Sequence, residues 1–143
     1  MPFWKSIRSC RVPTLSSGAL KPKTAAERSF WAGKSVLVTG ATGLVGSHLV
    51  PGLLDAGAEV AVLLRDHDRR SELFRSGDIG RVAVTEGELE SLADVERAVA
   101  ESGASVVFHL GAQTLVGVGF NAPLLTFESN VRGTYNLLEA CRR

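Results

Sequence analysis

Cysteine is scarce in this chain: Cys10 and Cys141 are the only two in 143 residues. They form no C-x-x-C spacing, so neither a disulfide framework nor a cysteine zinc site is indicated, and a reduced, cytoplasmic setting fits that usage. Long apolar runs are missing as well. Nothing approaches the roughly 18 to 20 consecutive apolar residues that span a bilayer, and the mean hydropathy of +0.13 agrees, so no membrane association is expected. Charge of one sign is also lacking, with a formal net charge of +1. The composition, 45% hydrophobic and 22% charged, argues against a fibrous or wholly disordered chain and suits one core-bearing domain, hardly two.

The near-neutral total hides an asymmetry. In residues 1–30, Lys5, Arg8, Arg11, Lys21, Lys23 and Arg28 face Glu27 alone, which leaves the rest of the chain acidic. That first stretch is serine-rich, punctuated by Pro2, Pro13 and Pro22, and without sustained periodicity. It reads as a disordered basic tail, unable to bury enough surface to offset its ordering entropy. An organellar transit peptide is the competing reading. A nucleic-acid arm is set aside, because the six charges are scattered and only Phe3, Trp4 and Phe30 lie among them.

From Lys34 onward, short apolar runs alternate with helical periods. Strands are expected at 35–39, 59–64, 81–85 and 105–110. Helices are expected at 43–56, with Leu44, Val45, Leu49, Val50, Leu53 and Leu54 at helical spacing, and briefly at 70–74. Ser91 with Asp94 three residues on resembles a capping box opening a helix through Glu101. A long helix should then start at Pro123 and run to the end. Pro51 within the first helix removes a donor, predicting a kink rather than a break. The alternation β-α-β-(α)-β-α-β-α predicts an α/β fold, a Rossmann-type parallel sheet with helices on both faces, truncated after about four strands. The domain division is a tail over 1–30 and a dinucleotide-binding domain over 31–143.

Glycine, by contrast, is plentiful. The fifteen glycines exceed the usual share of roughly 7%, and several fall in Thr39-Gly40-Ala41-Thr42-Gly43-Leu44-Val45-Gly46, between an expected strand and an expected helix. In that context Gly40 permits the tight turn, Gly43 lets the backbone approach a pyrophosphate, and Gly46 lets helix and strand pack closely. Amides at the helix N-terminus would face the anion. At the second strand tip, Leu64 followed by Arg65 favours the 2'-phosphate of NADP, whereas Asp66 reaches a ribose hydroxyl of NAD if the loop turns back. The cofactor is therefore NAD or NADP, with a slight lean to NADP. Two further strand tips should line the same crevice, with Glu88 and Leu89 after the third and Leu110, Gly111, Ala112 and Gln113 after the fourth. His109, inside an apolar strand, reads as a hydrogen-bonded, neutral core residue rather than a base.

The spacing G-x-x-G-x-x-G after a threonine resembles the short-chain dehydrogenase/reductase superfamily. With Phe30 to Gly40 (FWAGKSVLVTG), Val107 to Gln113 (VFHLGAQ) and Pro123 to Ala140 (PLLTFESNVRGTYNLLEA), the chain resembles the extended family of NAD-dependent epimerases and dehydratases. It is most like the sugar-nucleotide 4,6-dehydratases of the CDP-glucose and GDP-mannose type. The resemblance covers about residues 30–143. The chain departs from the CDP-glucose pattern at Leu44 and Val45 within the turn and at Gly117, Val118 and Gly119.

This resemblance implies an enzyme that takes hydride from C4 of a hexose in a nucleotide sugar, then dehydrates or epimerises it. It implies an adenine contact for the acid at Glu88, and a cofactor site including Gly40, Thr42, Gly43, Leu44, Val45 and Gly46. Asn130, in N-V-x-G-T, matches the family asparagine that supports the catalytic lysine. The family's base is the tyrosine of Y-x-x-x-K, its pKa lowered by that lysine. Here the sole tyrosine, Tyr135, is followed four residues later by Glu139. No catalytic residue is therefore assigned, and the expectation is a cofactor-binding portion that is inactive alone, with the catalytic strand, helix and sugar-binding region beyond Arg143. A stand-alone NAD(P)-binding sensor or interaction module is the alternative. No metal is expected, and a homodimer is left open.

Overall fold

The structure, a computed structural model, describes residues 24–143. Four parallel strands, β1 (Ser35–Thr39), β2 (Glu59–Leu64), β3 (Ala83–Glu86) and β4 (Val106–His109), form one sheet in the order β3-β2-β1-β4. Strand β1 is central, its Val38 level with Val62 of β2 and Phe108 of β4. Its residues Val36, Leu37 and Val38 alternate between two cores, as in a strand covered on both faces. Val36 and Val38, with Val60 and Val62, meet Val50 and Leu53 of α2 (Gly46–Asp55) and Leu73 of α3 (Glu72–Arg75). Leu37, with Ala61 and Leu63, meets Val95 and Ala98 of α4 (Leu92–Ser102) and Leu137 and Ala140 of α7 (Gly133–Arg142).

Helix α1 (Ala25–Trp31) corrects the reading of residues 1–30 as tail. It is ordered by aromatic packing that composition does not reveal: Trp31 stands 5.0 Å from Phe30 and 5.8 Å from Phe108 of β4, centroid to centroid. The rest of the proposed tail, residues 1–23, lies outside the described residues. Helix α2 begins at Gly46 instead of Gly43 and runs unbroken through Pro51 to Asp55. Gly77, in a left-handed conformation, leads into a 3-10 turn over Asp78–Arg81 that periodicity did not signal. Ser91 caps α4 as expected, its hydroxyl accepting from the Asp94 N–H at 3.3 Å. The reciprocal arm of the box is absent: the Asp94 carboxylate accepts from the Glu88 N–H instead.

Beyond β4 the expected single helix is divided. Helix α5 (Val116–Asn121) comes first, then α6 (Pro123–Phe127), a π turn over Glu128–Arg132 and α7. The Gly133 N–H reaches back to the Glu128 carbonyl, the wider spacing of a π turn.

Candidate functional site

Because all four strands run parallel, their C-terminal ends share one edge of the sheet, where ligands of open α/β sheets bind. The loops leaving β1, β2, β3 and β4 there enclose a cavity of about 380 Å³. Thirteen of the fourteen cofactor residues expected from sequence line it, together with Thr39, Leu63, Leu64, Gly87, Glu90, Thr114 and Ser129.

The glycine turn forms one wall. Gly40 has φ of 71°, and a Cβ on it would stand 2.5 Å from the Leu110 carbonyl carbon and 2.6 Å from the Gly111 nitrogen. Glycine is thus required twice over, by conformation and by the approach of the β4 loop. A Cβ on Gly46 would overlap the Gly40 carbonyl oxygen and lie 2.7 Å from the Ala41 Cα, so α2 can start this close to β1 only without a side chain there. Gly43 is less constrained, its nearest neighbour, the Gly40 oxygen, lying 3.2 Å from an added Cβ. The N–H groups of Leu44 and Val45 have no partner among the described residues, so the entrance to α2 keeps orphan donors suited to an anion. Leu44 and Val45 are 84% and 60% exposed, not the inward helical positions their spacing suggested. They precede the helix and line the cavity.

At the β2 tip, Leu64 is buried and Arg65 and Asp66 are exposed. The Arg65 Nε donates to Asp66 Oδ2 at 2.7 Å. That bond raises the Arg65 pKa, and Asp66, Glu90 and Glu88 add electrostatic support against the opposing effect of burial. Glu88 is the one expected residue that does not line the cavity. Its N–H is held by Asp94 at 3.3 Å, its side chain is exposed, and Glu90 joins the wall instead. Glu90 accepts a hydrogen bond from the Ser129 hydroxyl of the π turn. Leu89 is seated between glycines: a Cβ on Gly111 would lie 2.7 Å from its Cδ1, and one on Gly133 2.8 Å from its Cβ. Its carbonyl accepts from Asn136 Nδ2 at 2.8 Å.

The β4 loop forms the facing wall and is tied by side chains. Asn130, expected to support a lysine, spends its amide on the backbone of Gln113: Oδ1 accepts from the Gln113 N–H at 2.7 Å, and Nδ2 donates to the Gln113 carbonyl at 3.0 Å. His109 bonds at both ring nitrogens, Nδ1 to Thr39 Oγ1 at 2.7 Å and Nε2 to Thr134 Oγ1 at 3.1 Å, and burial pushes its pKa down. Sequence reasoning did not assign Glu90, Ser129 or Thr39 to the wall, although Thr39 opens the glycine motif and Ser129 precedes Asn130, because spacing alone attaches no role to those positions. Among the described residues no group of three metal-ligating side chains occurs, and no helix is long and apolar enough to cross a membrane.

A parallel sheet in this order, with a glycine-rich turn between its central strand and the following helix, defines a Rossmann-type dinucleotide-binding fold. Residues 36–143 match the model of the NAD dependent epimerase/dehydratase family, and the chain belongs to that family. It is 34% identical over 120 residues to a CDP-glucose 4,6-dehydratase of Salmonella typhimurium, covering 82% of this chain and 33% of that protein. It is likewise 34% identical over 116 residues to a UDP-glucose 4-epimerase of Oryza sativa, covering 76% of this chain and 31% of the relative. Among solved structures, a Thermus thermophilus UDP-glucose 4-epimerase in complex with NAD superposes with a TM-score of 0.65 at 43% identity, covering 75% of this chain and 33% of that one. The chain therefore spans about a third of the length of these relatives.

Proposed function

We propose that this chain forms the NAD-holding part of a nucleotide-sugar dehydratase or epimerase. The observation that carries the reading is the turn between β1 and α2, where Gly40 and Gly46 leave no room for a side chain and the Leu44 and Val45 amides are unpartnered among the described residues. A pyrophosphate would rest on that turn. The adenosine half would then lie toward Asp66 and Leu89, and the nicotinamide half toward Gly111, Ala112 and Gln113. When bound, the nicotinamide supplies a hydride acceptor for a hexose carbinol carbon. The residues of this chain bind and orient: Asp66 offers a carboxylate to the ribose hydroxyls, Leu44 and Val45 cover the turn with apolar surface, and Asn130 fixes Gln113.

NAD is favoured over NADP, against the lean suggested by Arg65 in the sequence. The Arg65 guanidinium is already engaged by Asp66 at 2.7 Å, and the carboxylates of Asp66 and Glu90 would repel a 2'-phosphate. Calorimetric titration of the 143-residue chain with NAD and NADP tests both statements. NAD should bind more tightly, and Asp66→Asn should narrow the difference by about tenfold, the equivalent of about 1.4 kcal/mol. Absence of measurable dinucleotide binding would sink the functional reading, whereas tighter NADP binding would sink only the selectivity.

A further inference from the structure

The hydrogen bonds around His109 fix where each proton sits. The Thr134 hydroxyl donates to the Asn130 carbonyl at 2.6 Å, since a carbonyl can only accept. Its single proton is thereby committed, so its oxygen can meet the His109 Nε2, 3.1 Å away, only as an acceptor. Nε2 must carry the hydrogen. On the other side of the ring, the Gly111 N–H donates to Thr39 Oγ1 at 3.1 Å, leaving the Thr39 proton free to point at His109 Nδ1 at 2.7 Å. The neutral ring with hydrogen on Nε2 satisfies every member of this chain, and burial favours that neutral form. In the Nδ1–H tautomer, Nε2 would face an oxygen with no proton to give it.

The chain of bonds ends on the cofactor wall at both sides. Thr39 holds the nitrogen of Gly111, and Asn130, whose carbonyl receives the Thr134 proton, holds both backbone groups of Gln113. We infer that His109 is a positioning residue: as the Nε2–H tautomer it bridges Thr39 and Thr134 and so fixes the Gly111–Gln113 wall in the shape that receives the nicotinamide half of the cofactor. The ligand assignment rests on the NAD reading above, but the bridge itself does not. His109 touches no reacting atom in this arrangement and works through the loop.

Thr134→Val is the sharpest test, because it keeps the side-chain shape and removes the acceptor of Nε2. Hydrogen exchange should speed up at the Gly111 and Gln113 amides by about tenfold, corresponding to roughly one lost hydrogen bond, and Thr134→Ser should restore protection. Nitrogen NMR of the wild-type imidazole should show the hydrogen on Nε2. Calorimetry should show NAD binding weakened by about tenfold with ADP, which lacks the nicotinamide half, bound as before. His109→Phe should repeat the pattern. Unchanged exchange in Thr134→Val, an Nδ1–H tautomer, or equal weakening of NAD and ADP would each overturn the inference. If the wild type binds neither nucleotide while exchange and tautomer behave as stated, the bridge stands and the NAD reading fails.

Discussion

The two walls of the crevice are built by opposite means. The wall between β1 and α2 exists because side chains are missing: Gly40 and Gly46 let three backbone segments approach to distances that one added carbon would forbid. The facing wall after β4 exists because side chains are present. Thr39, His109, Asn130 and Thr134, from three separate stretches of chain, hold Gly111 and Gln113 by hydrogen bonds. Steric exclusion tolerates almost no substitution but needs no partner. A polar network is graded, since losing one member leaves the others in place at the cost of an unsatisfied group.

That contrast can be broken experimentally. The largest effect belongs to Gly46→Ala, in which even a methyl group overlaps the Gly40 carbonyl. Urea denaturation should show a loss of about 3 kcal/mol or more, whereas Gly43→Ala, three residues earlier in the motif and meeting only the Gly40 oxygen at 3.2 Å, should stay within about 1 kcal/mol of wild type. Equal effects at the two positions would mean that the wall is not sterically defined. Next comes Asn130→Ala, which strands both backbone groups of Gln113. A cost of about 2 kcal/mol is expected, with weaker NAD binding and α2 unaffected by hydrogen exchange. Protection lost in α2 as well would show that the walls are not independent.

The smallest effect concerns the far end of α7, whose first turn supplies Thr134 to the second wall. Hydrogen bonds from Arg142, then Arg143, hold the Glu139 carboxyl down to about 2 from its ordinary value of 4.5. Because the folded value is depressed, the contribution is full above the unfolded pKa and is lost as pH falls from about 4.5 toward about 2. Glu139→Gln should therefore lower stability slightly at neutral pH, where the contribution is full, and flatten the acid limb so that the two curves converge at the low end of that window, the difference staying small because the ion pair is exposed. An unchanged acid limb would remove Glu139 from the account.

Legibility in the sequence followed the same division. Strand β1 over Ser35–Thr39 and strand β2 over Glu59–Leu64 were readable to the residue, because a strand buried on both faces needs a continuous apolar run. The glycine motif was equally plain, since its three glycines fall within eight consecutive residues, although the β4 loop that also forbids a side chain at Gly40 is distant in sequence. Helix α1 was missed because what orders Trp31 is Phe108, distant in sequence. Glu88 was taken for a wall residue on its place in a motif, yet Asp94 captures its backbone and Glu90 occupies the wall. The π turn escaped notice because its geometry differs from that of an α-helix by a single residue of backbone spacing, which side-chain periodicity does not register.

By itself, then, the sequence determined the parallel α/β order, the central strands and the glycine turn, all of which arise from local backbone demands and apolar periodicity. The tertiary structure alone decided how Arg65 is engaged, which acid faces the crevice, and where the proton on His109 lies. Arg65 meets its sequence neighbour Asp66 only as the loop after β2 folds, and the other two outcomes depend on partners far apart in the chain, Glu90 and Ser129 by 39 positions and Thr39 and Gly111 by 72. No local pattern encodes such a pairing, because it forms only when the sheet brings the strand ends to one edge.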